Sequence, residues 1–188
     1  MIYACGYDTF SLRLDNQALT VYELDRPEMI ADRWKRIART GLEPACHVED
    51  IGCDLSQPSW KEKLIHAGFD PKKTSFGTLL GISYYLSKQD FKNLVAVIAS
   101  ISCEGSSICF DYPVSEAGAE SQRNRELAAA GEMMKAKYSY EEMEAQLSNA
   151  GFLIYEHIDA DEATDAFLKE SGMNAPAGVG YCLAVRKG

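Results

Sequence analysis

Residues 2–25 read "IYACGYDTFSLRLDNQALTVYELD". A short apolar run enters a turn of small residues at Ala4, Cys5 and Gly6. A clearer strand, rich in β-branched and aromatic residues, then ends on Glu23 and Asp25. In open α/β sheets, ligands sit outside the carboxyl ends of the strands. Small residues at the first turn let the backbone approach a ligand closely. A carboxylate about 20 residues on, at the end of the second strand, can accept hydrogen bonds from both hydroxyls of a ribose. The stretch therefore sets two expectations, a parallel α/β fold and a nucleoside-binding turn.

The rest of the chain continues the alternation that marks a parallel sheet covered by helices. "RPEMIADRWKRIARTG" (26–41) has apolar residues at helical spacing, with Pro27 at its start and Gly41 past its end. A third strand runs into "IGCDLSQ" (51–57), with Asp54 and Leu55 at its end, and the helical "SWKEKLIHAGF" (59–69) follows. "TSFGTLLG" (74–81) is a fourth strand ending at Gly81, "KQDFKNLVAVIASIS" (88–102) a helix, and "SSICFDYPV" (106–114) a fifth strand carrying Asp111 and Tyr112. "AGAESQRNRELAAAGEMMKAKY" (117–138) reads as polar, helical and partly mobile. Ser139 caps a helix over "SYEEMEAQLSNAG" (139–151), whose first turn is acidic. Two closing strands, "FLIYEHID" (152–159) and "GVGYCLAVRK" (178–187), flank a helical or irregular excursion. No linker or repeat divides the chain, so residues 1–188 are expected to form one domain.

The net charge of −9, with no basic run, argues against broad nucleic-acid binding. The longest apolar stretch, "NLVAVIASISC" (93–103), falls short of the roughly 18–20 residues a membrane span needs. No secretory leader is read at the start, and the six cysteines are scattered without a CxxC pair. They read as buried thiols of a reducing compartment, hence a cytoplasmic protein. Cys46, His47 and Cys53 match no zinc spacing, and no metal is expected. No G-x-S-x-G elbow supports a serine hydrolase, and His66 and His157 read as structural.

The first turn also bears on the cofactor. A dinucleotide fingerprint wants G-x-G-x-x-G, whereas Ala4-Cys5-Gly6-Tyr7-Asp8-Thr9 keeps only the middle glycine. Asp8 would repel a pyrophosphate at close range. A ligand with a positive centre and no phosphate suits the turn better, and S-adenosylmethionine is such a ligand.

The motifs "ACGYDTFSLRL" (4–14), "VYELDRPE" (21–28), residues 53–87 with "AGFDP" and "LLGISYYL", and "GSSICFDY" (105–112) together resemble the leucine carboxyl methyltransferase-like family. The resemblance is narrower to its bacterial S-adenosylmethionine-dependent O-methyltransferase branch, and it runs from Ile2 nearly to the C-terminus. It implies a Rossmann-like class I methyltransferase sheet of seven strands, the last antiparallel, with helices on both faces. By resemblance, Ala4, Cys5 and Gly6 line the methionine part of the cofactor, and Asp25 with Glu23 holds the ribose. Asp54 and Leu55 flank the adenine, and Gly81 sits beside the sulfonium. Asp8 and Arg13 match a D-T-x-x-x-R pattern that serves the turn or a ligand.

Ala4 and Cys5 depart from the family's usual G-A-G. Leu80 stands where eukaryotic members carry glutamate, as in the bacterial branch. The family's helical N-terminal segment, which covers the pocket and supplies an arginine, has no counterpart before Ile2, so the chain is expected to be N-terminally truncated.

The leading expectation is an S-adenosylmethionine-dependent O-methyltransferase acting on a small molecule or a carboxylate. Tyr85 and Tyr112 are the candidate acceptor-lining residues, and no general base is assigned, with Asp111 and Tyr112 as the nearest candidates. Neither a nucleic-acid nor a membrane partner is expected, and self-association through an exposed apolar floor stays open. A non-catalytic remnant acting as a binding module, a fragment of a longer enzyme and an NAD-type oxidoreductase are the alternatives. The missing flanking glycines and the antiparallel tail count against the last.

Overall fold

The computed structural model describes residues 1–115 and 134–188. It divides into two compact units, Met1–Lys73 and Thr74–Gly188. The polar helix expected over 117–138 lies, up to residue 133, outside the described residues.

In the first unit the elements are β1 (Ile2–Tyr3), α1 (Phe10–Arg13), β2 (Thr20–Asp25), α2 (Pro27–Ile37), β3 (His47–Gly52) and α3 (Trp60–His66). The strands run parallel in the order β3-β2-β1. Register pairs Tyr3 with Leu24 and Asp25 with Gly52, so the turns after all three strands leave from one edge. Ile2, Cys5, Val21, Ile30 and Cys46 form a buried cluster against which Leu14, Trp34 and Val48 pack. The Tyr3 ring meets Trp60 edge-on at 5.6 Å, and Tyr22 meets Phe69 likewise. Fully burying a Leu-sized side chain contributes about 1.5–3 kcal/mol, so Leu24 and Leu64, both wholly buried, each outweigh a helix cap of about 1 kcal/mol. α2 starts at Pro27 as the sequence predicts and ends at Ile37, with turns rather than helix continuing to Gly41.

The second unit contains β4 (Phe76–Leu79), a 3-10 turn (Ser83–Tyr85), α4 (Lys88–Ser100), β5 (Ser107–Pro113), α5 (Tyr140–Asn149), β6 (Phe152–Ile158), α6 (Ala160–Ala163) and β7 (Val179–Arg186). Strand order is β4-β5-β7-β6. β4 and β5 are parallel, and β7 runs antiparallel to both neighbours. Among the described residues the strands number seven, with the last antiparallel as expected. The excursion before β7 is α6 continued by a wide turn over Thr164–Leu168 and a tight one over Lys169–Ser171.

Ser139 and Glu142 form a reciprocal capping box at the start of α5, and Ser87 caps α4 by accepting from the Asp90 amide. The core holds an aromatic chain, Phe91 to Phe110 at 5.5 Å, Phe91 to Tyr138 at 5.6 Å and Tyr138 to Tyr112 at 6.1 Å. Gly180 pairs with Tyr112 across β5 and β7, and a Cβ there would fall 2.9 Å from the Tyr112 ring.

Candidate functional site

In the first unit, β1 delivers the Ala4–Asp8 turn, β2 delivers Glu23 and Asp25, and β3 leads to Asp54 and Leu55. Ala4 and Gly6 both adopt left-handed backbone, at φ +51° and +49°. Alanine there carries a strain of roughly 1–2 kcal/mol, which persists because neighbouring groups fix the turn. The Cys5 amide donates to the Leu24 carbonyl at 3.1 Å and the Asp8 amide to the Cys5 carbonyl at 2.8 Å. The Gly6 amide donates to Asp25 Oδ2 at 2.7 Å, and the Arg26 amide to Asp25 Oδ1 at 2.7 Å. Two backbone donors thus fix the plane of the Asp25 carboxylate. Each of its oxygens keeps acceptor capacity, since a carboxylate offers about four lone-pair sites.

Glu23 is placed differently. It is wholly buried, and so is Arg33 from α2. Arg33 Nη2 donates to Glu23 Oε1 at 2.8 Å, and Nη1 donates to Glu23 Oε2. Arg33 also reaches the Asp8 carbonyl from Nε and Nη2, at 3.1 and 2.8 Å, and Ser11 Oγ from Nη2 at 3.1 Å. The ribose contact expected of Glu23 is corrected by this pairing, because a carboxylate sealed against a guanidinium has no exposed face to offer.

Asp8 Oδ1 accepts from the Phe10 amide at 2.6 Å, and Arg13 Nε donates to Thr9 Oγ1 at 3.1 Å. The D-T-x-x-x-R residues are therefore built into the local structure of the turn. Tyr7 is exposed, its hydroxyl donates to Asp32 Oδ2 at 2.6 Å, and Arg36 lies over its ring.

Burial, with the Asp25 and Glu23 carboxylates nearby, pushes the Cys5 thiol up to about 12, and burial pushes Cys53 up to about 11. Both stay protonated at neutral pH and act as small apolar side chains. Asp54 is exposed and takes the Ser56 amide on Oδ1 at 2.9 Å, which holds its carboxyl below the usual range. Leu55 beside it is half-buried.

In the second unit, Gly81 follows β4 with φ +71°, and a Cβ on it would meet nothing within 4 Å. Its amide donates to Asp111 Oδ1 at 2.7 Å. Tyr84 donates its hydroxyl to Asp111 Oδ2 at 3.0 Å, and Ser83 Oγ to the Asp111 carbonyl at 2.7 Å. Asp111 is thus the post on which the Gly81–Tyr85 turn hangs. Tyr85 is exposed at the end of that turn.

Tyr112 is not beside it. Its ring is wholly buried, its hydroxyl shares a 2.8 Å hydrogen bond with His157 Nε2, and burial pushes the phenol up to about 12. The acceptor-lining position expected for Tyr112 is therefore corrected to a core position. The alternation of β5 explains it, since Ile108, Phe110 and Tyr112 share the buried face and Asp111 takes the other.

A model of the leucine carboxyl methyltransferase family matches residues 1–99. The chain belongs to the leucine carboxyl methyltransferase family. Among its relatives, YktD of Bacillus subtilis strain 168, which bears the name of an S-adenosyl-L-methionine-dependent methyltransferase, is 32% identical over 199 residues. That match covers 100% of this chain and 65% of YktD. The chain spans half or less of the length of four other relatives.

Two solved structures share the fold. Mitomycin 7-O-methyltransferase MmcR has a TM-score of 0.65 at 12% identity, covering 98% of this chain and 48% of that one. Magnesium protoporphyrin IX methyltransferase (ChlM) from Synechocystis PCC 6803 with bound SAH has a TM-score of 0.60 at 14% identity, covering 99% and 73%. The fold of this family member is the Rossmann-like α/β fold of class I methyltransferases.

Sequence reasoning missed Arg33 and the holding role of Asp111. A signal for Arg33 existed, because it falls three residues after Ile30 and four before Ile37, on the buried stripe of α2.

Proposed function

We propose that this chain is an S-adenosylmethionine-dependent O-methyltransferase acting on a small molecule or a carboxylate. The observation that carries the proposal is the Gly6–Asp25 hydrogen bond within a turn whose amides are already spoken for. The amides of Cys5, Gly6, Asp8 and Phe10 are donated to Leu24, Asp25, Cys5 and Asp8, so the turn offers few donors to a pyrophosphate. The carboxylates of Asp8, Asp25 and Asp54 favour a cationic ligand there. Family membership, the names of the relatives and the SAH bound to ChlM support the same cofactor.

In the first unit, Ala4, Cys5 and Gly6 line the methionine moiety, Asp25 accepts from the ribose hydroxyls, and Asp54 and Leu55 flank the adenine. By family resemblance, Gly81 and Tyr85 of the second unit are assigned to the cofactor and the acceptor respectively. The cofactor, when bound, supplies an activated methyl group for an acceptor oxygen. An ionised carboxylate needs no general base, only proximity and orientation. That suits a chain in which Tyr112 is sealed in the core.

Incubation with methyl-labelled S-adenosylmethionine and a panel of carboxylic acids and phenols tests the proposal. Label in a base-labile ester or a stable aryl ether is expected, and label found only on nitrogen or carbon contradicts it.

A further inference from the structure

Arg33 is 2% exposed, yet all three of its guanidinium nitrogens donate hydrogen bonds. It reaches from α2 to Glu23 on β2 and to the Asp8 carbonyl at the far end of the turn after β1. That turn contains Ala4 at φ +51°, the non-glycine residue of positive φ among the described residues. Left-handed alanine persists only where its surroundings over-determine it. The Cys5 amide pins the near end of the turn to Leu24, and the Gly6 amide pins its middle to Asp25. Arg33 pins its far end.

We propose that Arg33 is the positioning residue of the Ala4–Asp8 turn, with Glu23 as its buried counter-ion, so that of the two carboxylates on β2 Glu23 holds Arg33 while Asp25 pins the middle of the turn and keeps acceptor capacity for the ligand. The proposal rests on the cofactor role given to this turn above. A planar fork of five donors can hold a carboxylate bidentately and a carbonyl at the same time, and a lysine cannot. The pair itself is costly to bury, and retention of that charge inside α2 is accounted for by the two backbone segments it ties together.

The test compares the wild-type chain with Arg33→Lys, Glu23→Gln and the double variant Arg33→Lys/Ala4→Gly. Amide hydrogen exchange over residues 4–14, S-adenosylmethionine calorimetry and thermal melting are measured on each. Arg33→Lys should raise exchange in the turn while leaving β5 and β7 protected, and should weaken binding about tenfold or more. Adding Ala4→Gly should recover part of both, because a turn relieved of left-handed strain needs less holding.

A lowered melting temperature with unchanged affinity and no recovery by Ala4→Gly would overturn the proposal. Should Arg33→Lys fail to fold, Glu23→Gln keeps the side-chain shape and is judged by the same two readouts. A smaller shift in the same direction supports the proposal, and unchanged exchange and affinity overturn it. If the wild type binds no S-adenosylmethionine but turn exchange responds as expected, the cofactor assignment fails and the positioning role stands. Binding with an unresponsive turn fails the positioning role alone.

Discussion

The amide of Gly6 donates to the carboxylate of Asp25 at 2.7 Å, tying the turn after β1 to the end of β2. The second unit repeats the device, for the Gly81 amide donates to Asp111 at 2.7 Å and ties the turn after β4 to β5. In both, a glycine with positive φ is oriented by a strand-end aspartate on the neighbouring strand. The two aspartates differ in their partners, for Asp25 takes a backbone amide on each oxygen, whereas Asp111 takes one amide and the Tyr84 hydroxyl.

Asp25→Asn should weaken S-adenosylmethionine binding strongly. The amide group replaces one acceptor oxygen with a donor, which opposes the Gly6 or Arg26 amide and, under the proposed cofactor assignment, removes an acceptor for a ribose hydroxyl. Hydrogen bonds to a charged group contribute about 1.5–3 kcal/mol, so affinity should fall roughly tenfold or more. Isothermal titration calorimetry of the folded variant checks this.

Ala4→Gly should stabilise the chain by roughly 1 kcal/mol, since it removes left-handed strain at a position of φ +51° and loses some of that gain to backbone entropy. For a chain of this size that corresponds to a rise of about 2–4 °C in melting temperature. Thermal denaturation followed by circular dichroism measures it.

Gly180→Ala should destabilise the second unit by roughly 1–3 kcal/mol, as overpacked cores do. The added Cβ would sit 2.9 Å from the Tyr112 ring, which is held by His157 and Tyr138 and cannot swing aside. Denaturant unfolding gives the cost, and a value near zero would show that the ring yields.

Stability should fall as pH drops through about 6.5. Burial holds His157 below its ordinary value of 6.5, against the smaller opposing pull of Glu162 and Asp159. The unfolded chain therefore takes up the proton first as pH falls, and unfolding is favoured from that point until the folded-state value is passed. Melting temperatures between pH 7.5 and 5.5 should decline in the wild type, with a shallower slope in His157→Gln.

The strands were legible because their runs of β-branched and aromatic residues, such as "TVYELD", end in turn residues, and because Ser139 and Pro27 are strong helix-start signals. The close of the fold was legible from two apolar runs with no long crossover helix between them. Partner choice among like side chains was not. Glu23 and Asp25 look equivalent in sequence, and only the helix that packs behind β2 brings an arginine to one and not the other. Tyr85 and Tyr112 likewise differ by which face of an element they occupy, a property of tertiary packing that residue type does not carry. Arg33 did not stand out in the sequence because charged side chains are so seldom fully buried.

The most direct measurement is calorimetric titration of the chain with S-adenosylmethionine. Saturable binding at one site is expected, lost or strongly weakened by Asp25→Asn. Absence of binding up to millimolar ligand, or equal binding by the Asp25→Asn variant, would contradict it.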